Sequence, residues 1–297
     1  MKISILLPIY NRAHTLPRCL ASIRAQTFTD WELIAVDDGS QDGSAELITG
    51  DPRYRLLRHD VNRGASAARN TALAAAQGEY IALIDSDDEW LPAKLERQLA
   101  HMAARGADGC GCEYWMVDGA KERHIRLPAP ASWTDELHIR CDLGNGTTLL
   151  ARRAALLAIG PLDEQLRLYE DWDWMLRFVQ RFAYTVVEQP LARVHVSGPR
   201  NPHLFATNAE HFLSNHAAEF QRHGPAYAAR IRSLHYEYVA ANALAQREFA
   251  LGSRYVVKSV ASAPLRRPQL LGALPLAGID AVCGTSLLQR ATQKSSR

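Results

Sequence analysis

Four short strand-like runs, each followed by a stretch with helical spacing, constrain this chain more than any other feature. "ISILLPIY" (3–10), an apolar run, "WELIAVDD" (31–38), "YRLLRH" (54–59) and "YIALID" (80–85) are all of strand length. After the first run, Leu16, Leu20, Ile23 and Thr27 recur at near-helical spacing behind Thr15-Leu16-Pro17. "GSAELI", capped by Asp42, follows the second, and the Ala-rich "GASAARNTALAAAQG" (64–78), stopped by Gly78, follows the third. "LPAKLERQLAHMAARG" comes after the fourth, with Pro92 near its start. This alternation predicts an α/β fold, a doubly wound and mostly parallel sheet flanked by helices, because parallel neighbours need a crossover and its helix covers a sheet face.

Sheets of this kind bind ligands beyond the carboxyl ends of their strands. Asp37, Asp38, Asp85 and Asp87 fall at predicted strand ends, so one rim should gather them. The run Asp85, Asp87, Asp88, Glu89 sets like charges together where the chain leaves a low-dielectric sheet. A divalent cation relieves that repulsion. Mg²⁺ or Mn²⁺ takes one or two carboxylates and fills its other positions with phosphate oxygens and water. Read alone, the run is equally a solvated acidic turn, with Asp88 or Glu89 capping the next helix.

Composition removes several function classes. The 297 residues are 47% hydrophobic, enough to bury a core in one large or two modest domains. Thirty-four Lys and Arg against 32 Asp and Glu leave a net charge of +2, which gives no case for nucleic acid as a partner. Five cysteines, at 19, 110, 112, 141 and 283, are odd in number and irregularly spaced, so a reducing, cytoplasmic setting is expected and no disulfide framework. Cys110-Gly-Cys112 lacks a second Cys/His pair at zinc spacing and reads as buried thiols. No run of about 18 apolar residues predicts a membrane span. "MKISILLPIYNR" lacks a small-residue cleavage site and reads as a first strand, not a signal segment.

The second half is less regular. "CGCEYWMV" (110–117) and "TTLLAR" (147–152) read as strands, followed by a short helix "RAALLAIG". "EDWDWMLRFVQRF" (170–182) places Trp172, Leu176 and Val179 at helical spacing, and "LARVHV" (191–196) is a strand with Leu191, Arg193 and His195 on one face. The break "SGPRNPH" (197–203) suits a lid, and amphipathic helices run on to about residue 262.

The segments "SILLPIYNRAHTLPRCLASIRAQTFTDWELIAVDDGSQDGS", "NRGASAARN" and "LIDSDDEW", in that order, resemble the nucleotide-binding half of family 2 glycosyltransferases, which have the GT-A fold. The resemblance covers roughly residues 3–195. It implies a GT-A domain over 1–200, with a nucleotide-binding half (1–90) and an acceptor-binding half (91–200), and a mostly helical extension over 201–297. It implies that the nucleotide base lies against Pro8 and Tyr10, with Asp38 accepting from a base N–H and Arg69 contacting the nucleotide. Asp85 would face ribose and diphosphate, and Asp87 would hold the Mn²⁺ or Mg²⁺. In "LYEDWDW", Asp171 would be the catalytic base and Glu170 an acceptor or orienting contact. His195 in "RVHVSG" would be a further metal ligand; alternatively Arg193, on the same strand face, would pair with the diphosphate. By residue type alone, Asp38-Gly39 is a turn, Tyr10 a core aromatic, Arg69 a solvent-facing helix residue, Asp171 a helix cap and His195 a structural histidine. Trp172 and Trp174 read as acceptor-lining aromatics, at least one of them in the core.

The implied function is metal-dependent, inverting transfer of one sugar from a nucleoside-diphosphate sugar, a UDP-sugar above all. The receiving hydroxyl would belong to a saccharide or lipid-linked acceptor in cell-surface polysaccharide assembly. Processive members carry a Gln-x-x-Arg-Trp motif and membrane spans that this sequence lacks, which favours single-residue transfer. Two alternatives stand beside this. A sugar nucleotidyltransferase should show a Gly-rich, basic signature after the first strand, and "PIYNRAHTLPRC" has none. A non-catalytic nucleotide-sugar binding module should lack the base or the metal acid, whereas Asp87 and Asp171 are both present. Residues 264–297 set Arg266, Arg267, Arg290, Lys294 and Arg297 around an apolar stretch. That mix suits peripheral contact with the inner face of an anionic membrane, a packing helix or a dimer contact.

Overall fold

The computed structural model describes residues 2–127, 130–196, 198 and 200–263. The four strand-like runs form β1 (Ile3–Ile9), β2 (Trp31–Asp37), β3 (Tyr54–Arg58) and β4 (Tyr80–Leu83). Between them lie α1 (Leu16–Arg24), a single 3₁₀ turn (Ala45–Leu47) and α2 (Ala65–Ala75). These four strands are parallel and lie in the spatial order β3-β2-β1-β4. Every residue of β2 and β4 is buried, as expected of parallel strands covered on both faces. The order reverses at β1, so the carboxyl ends of β1, β2 and β4 flank the switch point where such sheets bind ligands.

Beyond β4 the sheet turns mixed. Next in chain order come β5 (Glu89–Trp90), α3 (Lys94–Arg105), β6 (Gly109–Asp118), β7 (Lys121–Ile125), α4 (Trp133–Ile139), a helical turn α5 (Asn145–Thr148), β8 (Leu150–Arg152), α6 (Arg153–Ile159), α7 (Glu170–Val179) and β9 (Tyr184–His195). β8 runs antiparallel between β4 and β6, β9 is parallel to β6, and β5 is antiparallel to β9. Among the described residues the sheet has nine strands, ordered β3-β2-β1-β4-β8-β6-β9-β5, with β7 paired to β6. The expected strand over 147–152 is therefore split: Thr147 and Thr148 close a helical turn and only 150–152 join the sheet.

A buried acid fixes the passage from α2 to β4. Glu32 on β2 accepts from Ser4 Oγ at 2.5 Å and from the Gln77 amide at 3.1 Å, while Ser4 Oγ accepts from the Gly78 amide at 2.8 Å. A Cβ on residue 78 would stand 2.5 Å from the Ser4 amide nitrogen. Close approach to β1, rather than helix capping, therefore requires glycine there.

By compactness the chain divides into two units, Met1–Ser197 and Gly198–Arg297. In the second, α8 (Pro202–Asn215), α9 (Ala217–Arg222), α10 (Pro225–Ala245) and α11 (Phe249–Ser262) follow one another. Asn201 caps α8, accepting from the amides of His203 and Leu204 at 3.0 and 3.1 Å. Ser233 of α10 and Ser259 of α11 share a buried hydrogen bond of 2.9 Å. Among the described residues no helix is long and apolar enough to cross a membrane. The tail at 264–297, with its basic residues, lies outside the described residues, as do Ser197 and Pro199 of the expected lid.

Lys94 opens α3 with its amine fully buried, donating to Gln98 Oε1 at 2.7 Å and lying 4.3 Å from the centre of the Trp90 ring. Burial pulls its pKa down to about 8. The unfolded chain then binds the extra proton between pH 8 and the ordinary lysine value, so this group lowers stability below pH 8 and ceases to do so as pH rises through that window. Lys94→Met is expected to be at least as stable as the parent at pH 7, by at most roughly 3 kcal/mol. The difference should shrink toward pH 10 in denaturant melts. A Met variant less stable at pH 7, with no pH dependence in the difference, would contradict this.

Candidate active site

The loops after β1 and β2 are knitted together. Asn11, with a left-handed φ of 52°, donates its amide N–H to Ser40 Oγ at 2.9 Å and accepts at Oδ1 from the Gln41 amide at 2.9 Å. The Arg12 amide donates to Ser44 Oγ at 2.7 Å and the Ala13 amide to Asp42 Oδ2 at 2.9 Å. Asp42 also accepts from the Ser44 amide, and these bonds, the Ser44 hydroxyl first, hold its carboxyl below the usual range. Instead of capping a helix, Asp42 joins two loops. Pro8 lies half-buried at the end of β1 and Tyr10 is 44% exposed beyond it, so Tyr10 is no core aromatic.

The acids at the end of β2 have separate tasks. Asp38 is buried, and its carboxylate accepts from His59 Nδ1 at 2.7 Å, from the Arg63 amide at 3.0 and 3.1 Å, and from the Gly64 amide at 2.7 Å. His59 Nε2 lies 2.9 Å from Thr71 Oγ1. Both Asp38 oxygens are thus already engaged in holding the loop that leads into α2, and a nucleotide N–H would have to share one of them. Asp37 Oδ1 accepts from the Ser40 amide at 3.1 Å, which leaves Asp37 the less committed acid of the pair.

The acidic loop after β4 answers its own charge problem in part. Asp85 Oδ1 accepts from Arg69 Nη2 at 2.5 Å, Asp87 Oδ2 stands 3.5 Å from Arg12 Nη2, and Glu89 Oε1 lies 3.3 Å from Arg18 Nε. Arg18 Nη2 also donates to the Asp87 carbonyl at 2.6 Å. Asp88 is buried and takes no part in the open rim. It accepts from Thr147 Oγ1 and, at 2.7 Å, from the His195 amide, so it pins α5 and β9 to the loop. Thr147 Oγ1 in turn accepts from the Asp85 amide at 3.1 Å, and Trp90 Nε1 donates to the Thr147 carbonyl at 2.8 Å. Burial, and then the Asp85 charge, push the Asp87 carboxyl up, with Arg12 opposing. Asp85 at 37% side-chain exposure and Asp87 at 18% are the acids of this loop left for a ligand.

That pair suits a hard divalent cation: two carboxylates two residues apart, one of which binds protons too readily because a neighbouring acid and burial disfavour its charge. His195 has a carboxylate neighbour. Its Nε2 lies 2.9 Å from Glu89 Oε1, so a metal would be met through Nδ1, with Glu89 orienting the ring. Arg193 is paired with Glu122 at 3.3 Å.

On the opposite side, Tyr169 adopts a left-handed φ of 69° and starts α7, with its ring stacked on Trp172 at 4.9 Å. Glu170 and Asp171 thus occupy the first turn, where the helix dipole favours negative charge. Glu170 Oε1 lies 3.3 Å from Arg69 Nη1. Burial and the Asp171 charge push the Glu170 pKa up to about 7, with Arg69 opposing. Asp171 Oδ1 accepts from the Trp172 amide at 2.8 Å. Both tryptophans are core residues: Trp172 Nε1 donates to the Leu137 carbonyl at 2.5 Å and Trp174 Nε1 to the Gly160 carbonyl at 2.9 Å.

Arg69 joins the two sides. Its side chain is 3% exposed, not solvent-facing, and it reaches Asp85 and Glu170 together. Burial works against the cation, but Asp85, Glu170 and Asp171 outweigh it and raise its pKa. Sequence reasoning found the acids and Arg69 but missed Arg12, Arg18, Thr147 and Gly146. The two arginines follow β1 within nine residues and are the accessible signal. Gly146 and Thr147 carry none in "GNGTT".

An α/β sheet with acids gathered at its switch point belongs to the class of α/β proteins that bind a ligand at the carboxyl ends of their strands. The family described as Glycosyl transferase family 2 matches residues 4–144. An uncharacterized glycosyltransferase of Nostoc sp. is 43% identical over 222 residues, spanning 70% of this chain and 69% of that protein. The chain belongs to glycosyl transferase family 2. The UDP-Glc:alpha-D-GlcNAc-diphosphoundecaprenol beta-1,3-glucosyltransferase WfgD of Escherichia coli is 42% identical over 102 residues, 34% of this chain and 40% of WfgD. The chain therefore matches about two fifths of the length of that relative. Among solved structures, residues 1–349 of S. aureus TarS with UDP-GlcNAc superimpose with a TM-score of 0.71 at 19% identity, covering 95% of this chain and 89% of that one. That likeness shows the fold.

Gly146 offers a test of the packing around Arg69. A Cβ on it would run into Asp85 Oδ2 and stand 2.9 Å from Arg69 Nη2. At an ordinary helical position Gly→Ala stabilises by a few tenths to about 1 kcal/mol. Gly146→Ala is expected to destabilise instead, by about 1–3 kcal/mol. A denaturant midpoint at or above that of the parent would show that Asp85 and Arg69 are not held as described.

Proposed function

We propose that the chain transfers one sugar from a nucleoside-diphosphate sugar to an acceptor hydroxyl, with inversion and with the help of Mn²⁺ or Mg²⁺. The observation that carries this reading is a pair of links that meet on the loop after β4: Arg12, tied to the β2 loop at Ser44, pairs with Asp87, and Arg69 pairs with both Asp85 and Glu170. It brings nucleotide-side and acceptor-side acids to one edge of the sheet. Pro8 and Tyr10 would border the base, with Asp38 holding the loop against it and accepting from a base N–H beside its protein donors. Asp85 would face ribose and diphosphate.

Asp87, with Asp85 beside it, would hold the cation, which when bound supplies positive charge to the departing diphosphate. Asp171 is the better base. Its recorded partner is the neutral Trp172 amide on Oδ1, whereas Glu170 is engaged by the Arg69 cation. It would take the hydroxyl proton as the oxygen attacks the anomeric carbon and the bond to the diphosphate oxygen breaks on the far side. Glu170 would orient the acceptor. UDP is the favoured nucleotide, in keeping with the UDP-Glc named for WfgD and the UDP-GlcNAc bound to TarS. A saccharide or lipid-linked acceptor in polysaccharide assembly is in keeping with the relatives named for diphosphoundecaprenol and teichuronic acid chemistry. A cytoplasmic place, peripheral to the membrane where the acceptor is lipid-linked, agrees with these.

Thermal shift with a panel of nucleotide sugars tests the reading. A UDP-sugar should stabilise the protein only when Mn²⁺ is present, and no response to any donor with or without metal would sink it. Asp87→Ala should abolish the metal-dependent shift. Asp171→Asn should retain that shift and lose at least 100-fold in transfer, the scale of a missing general base. Normal transfer by Asp171→Asn would remove Asp171 from its role.

A further inference from the structure

We propose that Arg69 is a positioning residue that couples the two sides of the site, its guanidinium being shared between Asp85 and Glu170 so that the demand made by one carboxylate sets how firmly the other is held. This rests on reading Asp85 as a donor contact. The geometry is unequal: Nη2 to Asp85 is 2.5 Å, Nη1 to Glu170 is 3.3 Å. Nε is buried without a hydrogen-bond partner, so nothing anchors the third edge of the fork.

The helix that carries it, by contrast, is fixed. Asn70 Nδ2 donates to the Leu162 carbonyl at 3.0 Å and its Oδ1 accepts from the Leu162 amide at 2.9 Å. Ser66 Oγ donates to the Leu166 carbonyl at 3.0 Å. These bonds tie α2 to the segment that leads into α7. What remains free is a small rotation of the guanidinium between two acids. One cation faces Asp85, Glu170 and Asp171 and cannot satisfy all of them. When Glu170 loses its charge, Arg69 passes wholly to Asp85, and the donor side becomes more positive where an anionic diphosphate would sit. A lysine would carry the same charge but as a single point, without the fork that reaches both carboxylates.

The test is a double-mutant cycle read as UDP affinity in the presence of Mn²⁺, by calorimetry on the full chain. Glu170→Gln is expected to tighten UDP binding at least threefold. In an Arg69→Lys background the same substitution still removes a negative charge, but its effect should be at least threefold smaller. An equal factor in both backgrounds would reduce the effect to a through-space field and overturn the coupling. Unchanged UDP affinity in Glu170→Gln alone would overturn it too, even if Arg69→Lys failed to fold. In that event Asp85→Asn replaces it, and Glu170→Gln must lose its effect there. Failure of UDP to bind the unsubstituted chain would instead remove the donor reading beneath the proposal.

Discussion

One buried guanidinium holds the site together. Arg69 lies in α2, a crossover helix of the nucleotide-binding half, and reaches an acid at the end of β4 and another at the start of α7. Burying a cation costs several kcal/mol unless hydrogen-bonded carboxylates compensate it. Here two of them do, which makes the arginine and the acids mutually dependent. Loss of the cation would leave Asp85, Glu170 and Asp171 facing one another, and loss of the acids would strand a buried charge. The halves of this unit are therefore bound by an electrostatic contact at the place where chemistry is proposed.

By sequence the acidic run after β4 reads equally as a cation site and as a solvated acidic turn. The structure divides the burden. Asp88 is taken inward by Thr147 and the His195 amide, Glu89 is shared by Arg18 and His195, and Asp85 belongs to Arg69. Asp87 is left with Arg12 at 3.5 Å and a carboxyl pushed up by burial and Asp85. A run of four acids thus narrows to one carboxylate with unmet demand and one neighbour. This pattern fits a single divalent ion better than a diffuse acidic patch.

How far the sequence revealed this depends on the kind of signal. β1, β2 and β4 were legible because strands covered on both faces must be apolar throughout. β7, with the polar sequence "KERHI", lies outside the main strand order and pairs with β6, and β5 has two residues, so neither carries a hydrophobic period. "TTLLAR" has strand propensity along its length, yet its two threonines go to a helical turn whose hydroxyls are wanted at Asp88 and Leu143. The acids were legible as acids. Their partners were not, because a helical arginine can face solvent or core, and only packing decides. Ala67, Ala68 and Ala72 around Arg69 let α2 lie close to the sheet, which in retrospect left the arginine no route to solvent.

The central claim is that a single rim gathers these acids around one cation and one diphosphate. Anomalous scattering from crystals grown with UDP and Mn²⁺ tests it most directly. The account predicts one manganese peak within coordination distance of the Asp87 carboxylate, with the diphosphate beside Asp85 and Arg69 still touching Glu170. A manganese peak elsewhere, or UDP seated away from the ends of β1, β2 and β4, would contradict it.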